Sequence, residues 1–187
     1  HPGLPLVEEP TPERLRAALE GHGVVTVGTV FRGDKLSGAG TPEELRRAAD
    51  VVLVEADGAK RLPLKAPAEY EPVIPPCADA VAAVAGMDAV GQAVGAVCHR
   101  PERVCALLGA GAEHVLTPED VALLLASPQG GRKGVREAMA FRCVLNKADT
   151  PERSAHASAV AGRLAERGIH SAITYYREEE RGGLCWF

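Results

Sequence analysis

Two kinds of hydrophobic pattern share this chain. Four short runs, VVTV at 24–27, VVLV at 51–54, AVAAVA at 80–85 and FRCVL at 141–145, are largely apolar and bounded by turn-forming or polar residues, so they read as strands. The run at 51–54 has no polar alternation, the pattern of a strand covered on both faces of a parallel sheet, and it predicts the central strand. A start signal, Thr-Pro-Glu, recurs at Thr11, Thr41, Thr117 and Thr150. Threonine caps a helix, proline is pre-organised for its first position, and an acid in the first turn suits the dipole. Thr41 with Glu44 and Thr117 with Asp120 add the acid of a capping box. Four helix starts are thus marked, and a further short helix is predicted over 103–108, ended by Gly109.

The remaining stretches read as connections. Residues 1–10 should be irregular, and 29–40 should form a hairpin or turn around Arg32-Gly33-Asp34-Lys35. Pro63, Pro67, Pro72, Pro75 and Pro76 bar a helix and predict an extended loop across the ligand end of the sheet. Residues 132–140 read as a linker helix or loop and 169–176 as a more polar strand at an edge. Glu178-Glu179-Glu180 reads as a solvated turn, and the apolar tail at 184–187 as a segment that packs on the core or on another protein.

Charge and cysteine content narrow the function. A net charge of -4 leaves no basic excess for a nucleic-acid backbone, so nucleic-acid binding is not expected. No apolar run approaches the roughly 18 to 20 residues that span a bilayer, so no membrane association is expected either. The five cysteines form no C-x-x-C pair, and buried free thiols in a reducing, cytoplasmic setting are the expectation. His1 opens on a loop-like stretch, so natural sequence is expected upstream of it.

The candidate chemistry lies at two strand ends. Glu55 and Asp57 are two apart, so an extended backbone turns both carboxylates the same way, and Gly58 permits a sharp turn. Lys60 and Lys65 follow. Two acids and two cations suit a metal-bound phosphate compound, the acids holding Mg²⁺ and the lysines meeting phosphate oxygens; the same residues equally suit a solvated corner. Asn146-Lys147-Ala148-Asp149 follows a core strand and precedes a capped helix. In that setting the Asp accepts from a nucleotide base, the Asn supports the loop and the Lys stem covers the ring, although all three are also common turn formers. His99 and Arg100 read first as an exposed helix entrance.

In order along the chain, E-A-D-G-A-K, P-L-K-A-P, E-P-V-I-P, H-R-P-E, T-P-E-D and N-K-A-D resemble the YqeC-type accessory proteins associated with selenium-dependent molybdenum hydroxylases. The motifs run from about Val51 to Asp149, and the flanks agree only in element order. The resemblance implies a three-layer, P-loop NTPase-like α/β fold, with a mostly parallel sheet, helices on both faces and residues 1–187 as one domain. Residues 63–140 would be partly an insertion. It implies Glu55 and Asp57 in a Walker B-like position as metal and catalytic residues, with Lys60 beside them. Gly58, Lys65, Asn146, Lys147 and Asp149 would hold the nucleotide, and His99 and Arg100 are further motif residues. Mg²⁺ with ATP or GTP is the expected cofactor, and a molybdenum hydroxylase or cofactor-maturation protein the expected partner. The glycine-rich Walker A loop of that pattern is absent from these residues, so strong triphosphate affinity and NTP turnover are expected mainly of a longer form, and the missing first strand would leave an edge through which a homodimer can pair.

Overall fold

The computed structural model describes residues 3–32, 35–176 and 183–186. Its contacts group the chain into two compact units, 1–55 and 56–187, where the sequence reads as one domain. In the first unit β1 (Leu6–Val7) leads to α1 (Pro12–His22), then β2 (Thr26–Val27), the hairpin β3 (Thr29–Arg32) and β4 (Lys35–Ser37), and the single-turn α2 (Pro42–Leu45). β1 pairs in parallel with β2, so the first ten residues are less irregular than their prolines imply. The hairpin matches the expectation, while Gly33 and Asp34 at its corner lie outside the described residues.

The expected central strand is absent. Residues 51–54 make no strand pairing, and Val51 and Leu53 are 72% and 92% exposed. An apolar run specifies a preference for burial but not the neighbour whose N–H and C=O groups complete a ladder. No described strand pairs with these residues.

The second unit contains β5 (Leu64–Lys65), β6 (Ala80–Gly86), α3 (Val94–Val97), β7 (Cys98–His99), α4 (Pro101–Leu108) and α5 (Pro118–Ala126). It continues through β8 (Ala140–Asn146), α6 (Pro151–Ala165), β9 (Ser171–Tyr175) and β10 (Gly183–Trp186). Its main sheet has the order β10-β9-β8-β6, parallel throughout except for antiparallel β10. β9 is therefore not an edge strand, because the tail pairs along it; Glu178 to Glu180 and Phe187 lie outside the described residues.

All four Thr-Pro-Glu signals start helices, with the threonine hydroxyl accepting the expected amide and both capping boxes complete. α5 and α6 pack on each other and on β6, β8 and β9. β8 shows why: Phe141, Cys143 and Leu145 are buried in the core while Arg142 between them is exposed. In register with Arg142 and Val144 on β8, Ala82 and Val84 of β6 are also exposed, Val84 to 58%. Along β6 and β8 the residues thus alternate between the face packed against α5 and α6 and the opposite face. No helix among the described residues is long and apolar enough to cross a membrane.

Candidate functional site

Lys65 and Arg100 are brought together by the short parallel pairing of β5 with β7. Leu64 opposite Cys98 is buried, and one residue on, Lys65 stands opposite His99. Arg100 follows with a left-handed backbone, φ 59°, immediately before Pro101 starts α4. Onto these cations the proline-rich loop lays Glu71. Arg100 donates from Nη1 to Glu71 Oε2 at 2.8 Å and from Nη2 to Oε1 at 2.9 Å, a bidentate pair. Lys65 Nζ reaches the same Oε2 at 2.9 Å, Asp57 Oδ2 at 2.9 Å and the Gly58 carbonyl at 3.0 Å. The Ala68 amide donates to Glu71 Oε2 as well, at 3.3 Å, and is the fourth donor to the carboxylate as a whole.

Burial pushes the Glu71 carboxyl up, but Lys65, Arg100 and the Ala68 amide outweigh it and hold the group at about 2. His99, whose Nδ1 lies 3.4 Å from Arg100 Nη1, is shifted down by burial and then by the charges of Arg100, Lys60 and Lys65. The loop carrying Glu71 is itself fastened by cations: Lys133 donates to the Glu69 carbonyl at 2.9 Å and Arg136 to that of Pro76 at 2.6 Å.

The second cluster lies at the end of β8. Asn146 closes the strand, Lys147 takes a left-handed backbone at φ 63°, Ala148 is buried, and Thr150 caps α6. The Ala148 amide donates to the Thr174 carbonyl at 3.1 Å, and the Thr174 hydroxyl donates to Asn146 Oδ1 at 2.8 Å. Asp149 Oδ1 accepts the Tyr176 amide at 2.8 Å. Lys147 Nζ donates to Asp88 Oδ2 at 2.7 Å, while Asp88 Oδ1 is buried with no hydrogen-bond partner.

Gly86 joins the two clusters. Its amide donates to the Pro63 carbonyl at 2.8 Å, next to β5, and it stands opposite Asn146 in the β6–β8 register. A Cβ on Gly86 would collide with Asp88 Oδ1 and lie 2.8 Å from the Pro63 side chain, so glycine is required for this approach. Both clusters therefore gather around the C-terminal ends of the parallel strands, where open α/β sheets bind ligands.

Several sequence expectations change. Glu55 is exposed and belongs to the first unit, whereas Asp57 belongs to the second and is taken up by Lys65; neither ends a strand. Gly58 contributes its carbonyl to Lys65. His99 and Arg100 are partly buried and Arg100 is ion-paired, in place of an exposed helix entrance. Glu71 and Asp88, the carboxylates on which the cations close, were not among the predicted site residues; E-P-V-I-P and the Gly86-Met87-Asp88 strand end were their only sequence signals.

Among the described residues no group of three or more His, Cys, Asp or Glu is arranged to hold a metal. With Asp57 already on Lys65, this corner does not fit a resident ion; it offers one carboxylate to an ion that arrives on a ligand. Cys98 and Cys143 are buried free thiols, pushed up by burial to about 11 and about 12, and so are unreactive.

A family model described as YqeC protein matches residues 4–102. A curated relative, "Uncharacterized protein YqeC" of Escherichia coli (strain K12), is 38% identical over 101 residues, covering 51% of this chain and 40% of the relative. The match thus spans well under half the relative's length. No solved structure matches. The family match begins ahead of Val51 and ends before Asn146, so it includes Asp57, Lys65, Glu71, His99 and Arg100 and stops short of the tetrad, unlike the span of motifs read from the sequence. With more than half of its length matched by that model, the chain belongs to the YqeC family.

Proposed function

We propose that this chain is a nucleotide-binding accessory factor in the maturation of a selenium-dependent molybdenum hydroxylase, with the base read at Asn146-Lys147-Ala148-Asp149. The observation that carries the reading is the support beneath the tetrad. Asn146 Oδ1 is occupied by Thr174, Lys147 is turned by its left-handed backbone and tethered to Asp88, and Asp149 is fixed by the Tyr176 amide. A loop held at three points on the rim of a parallel sheet is pre-organised for a planar ligand. The β8–α6–β9 crossover and the parallel order β9-β8-β6 are what a P-loop NTPase-like fold would contribute here. Lys65 and Arg100 would meet phosphate oxygens, and Asp57 would meet the Mg²⁺ that accompanies them. The expected protein partner is the hydroxylase or a protein that matures its cofactor.

One observation favours a second reading, a scaffold that binds a partner without turning nucleotide over. Both strong cations of the first cluster already hold carboxylates. Thermal shift with ATP and GTP, each with Mg²⁺, separates the two. Nucleotide binding predicts a rise that depends on Mg²⁺ and a purine preference lost in Asp149→Ala; no rise with either nucleotide favours the scaffold.

A further inference from the structure

The first cluster is built like a receptor around an anion that the chain supplies itself. Glu71 Oε1 accepts Arg100 Nη2, and Oε2 accepts Arg100 Nη1, Lys65 Nζ and the Ala68 amide. A bidentate guanidinium, an ammonium and a backbone N–H converging on one anion form the donor set that grips phosphates and carboxylates alike. The three charged side chains are only 13% to 18% exposed, so the contact is shielded from water. Its two halves differ in origin. Lys65 and Arg100 stand on or beside the β5–β7 pairing, whereas Glu71 hangs from the proline-rich loop.

The surroundings carry more positive charge than Glu71 neutralises. Lys60 makes no ion pair among the described residues, yet its charge bears on His99 along with those of Arg100 and Lys65. Lys60 and Arg100 both hold left-handed backbones, at φ 52° and 59°. Such conformations are strained for non-glycine residues and collect at ligand clamps. If Glu71 withdraws, the carboxylate that remains paired with Lys60, Lys65 or Arg100 among the described residues is Asp57, on Lys65. That excess exceeds what a carboxylate neutralises and suits a phosphate dianion.

We infer that Glu71 is a built-in stand-in ligand: Lys65 and Arg100, with Lys60 beside them, form a phosphate site that Glu71 closes in the free protein and that a phosphorylated ligand opens by displacing it. The inference deepens the phosphate-binding part of the proposed function and is independent of the tetrad. The probe is therefore inorganic pyrophosphate, which has no base, so its outcome and that of the purine test are separable.

Calorimetric titration of pyrophosphate at fixed ionic strength, without metal, compares the native chain with Glu71→Gln, which keeps the side-chain shape and removes the competing charge. Glu71→Gln is expected to bind at least about tenfold tighter, a change of about 1.4 kcal/mol. It should also regain thermal stability on adding the anion, and adding Arg100→Ala should abolish both effects. A carboxylate that only fastens the loop predicts lost stability that pyrophosphate does not restore, and binding no tighter than native; either result overturns the inference. Should Glu71→Gln not fold, hydrogen exchange on the native chain decides. Excess pyrophosphate is expected to speed exchange of the Ala68 amide as its acceptor leaves, and unchanged exchange overturns the proposal.

Discussion

Lys65 ends a strand of the second unit, Lys147 follows one, and both touch a carboxylate, but they have been used differently. Lys65 is 13% exposed and shared among Asp57, Glu71 and the Gly58 carbonyl, in a knot where Glu71 also takes both arms of Arg100. Lys147 is 43% exposed and has Asp88 alone. A ligand at Lys65 must displace something, because the protein has already satisfied the charge. At Lys147 the loop is held by Thr174 and Tyr176 through Asn146 and Asp149, leaving the lysine stem available. One cluster is closed and the other open.

The contrast is broken most forcefully at Arg100. Arg100→Ala leaves a shielded carboxylate with Lys65 as its one cation beside the Ala68 amide, and losing one partner of such a pair costs about 3 kcal/mol. Urea unfolding measures it, and a cost near zero would show that the knot is not closed. Acid sharpens the same point. The folded Glu71 carboxyl is lowered from 4.5 to about 2, so its stabilisation is complete above the ordinary value and is lost as the pH falls from 4.5 towards 2. Unfolding free energy should decline across that window in the native chain and more shallowly in Arg100→Ala.

Smaller effects are expected at the open cluster. Thr174→Val removes the hydroxyl that holds Asn146 and should cost about 1 kcal/mol. Lys147→Ala should cost less than about 1 kcal/mol, because its pair with Asp88 is half exposed. A loss at Lys147 equal to that at Arg100 would erase the distinction between the two clusters.

These differences also mark what the sequence could disclose. The β8 strand, the tetrad and the capped α6 are contiguous, so apolar spacing, turn chemistry and N-cap rules all bear on one stretch and agree. The run at 51–54 has stronger apolar character than FRCVL, yet it forms no strand, because pairing depends on a neighbour that local pattern does not name. Partners across the fold were equally hidden. Glu71 lies 29 residues from Arg100 and Asp88 lies 59 from Lys147, so the cations could be singled out while the groups that neutralise them could not. The one-residue burial alternation along β8 is a feature that the short alanine-rich β6 run did not convey from sequence alone.

The proposed base-reading role of Asn146 to Asp149 is open to backbone amide NMR of the labelled chain during titration with GTP, ATP and CTP in the presence of Mg²⁺. Saturable shifts of the Lys147, Ala148 and Asp149 amides are expected with a purine nucleotide, weaker with CTP and absent in Asp149→Ala. Amides of the tetrad that stay unmoved by all three nucleotides would contradict it.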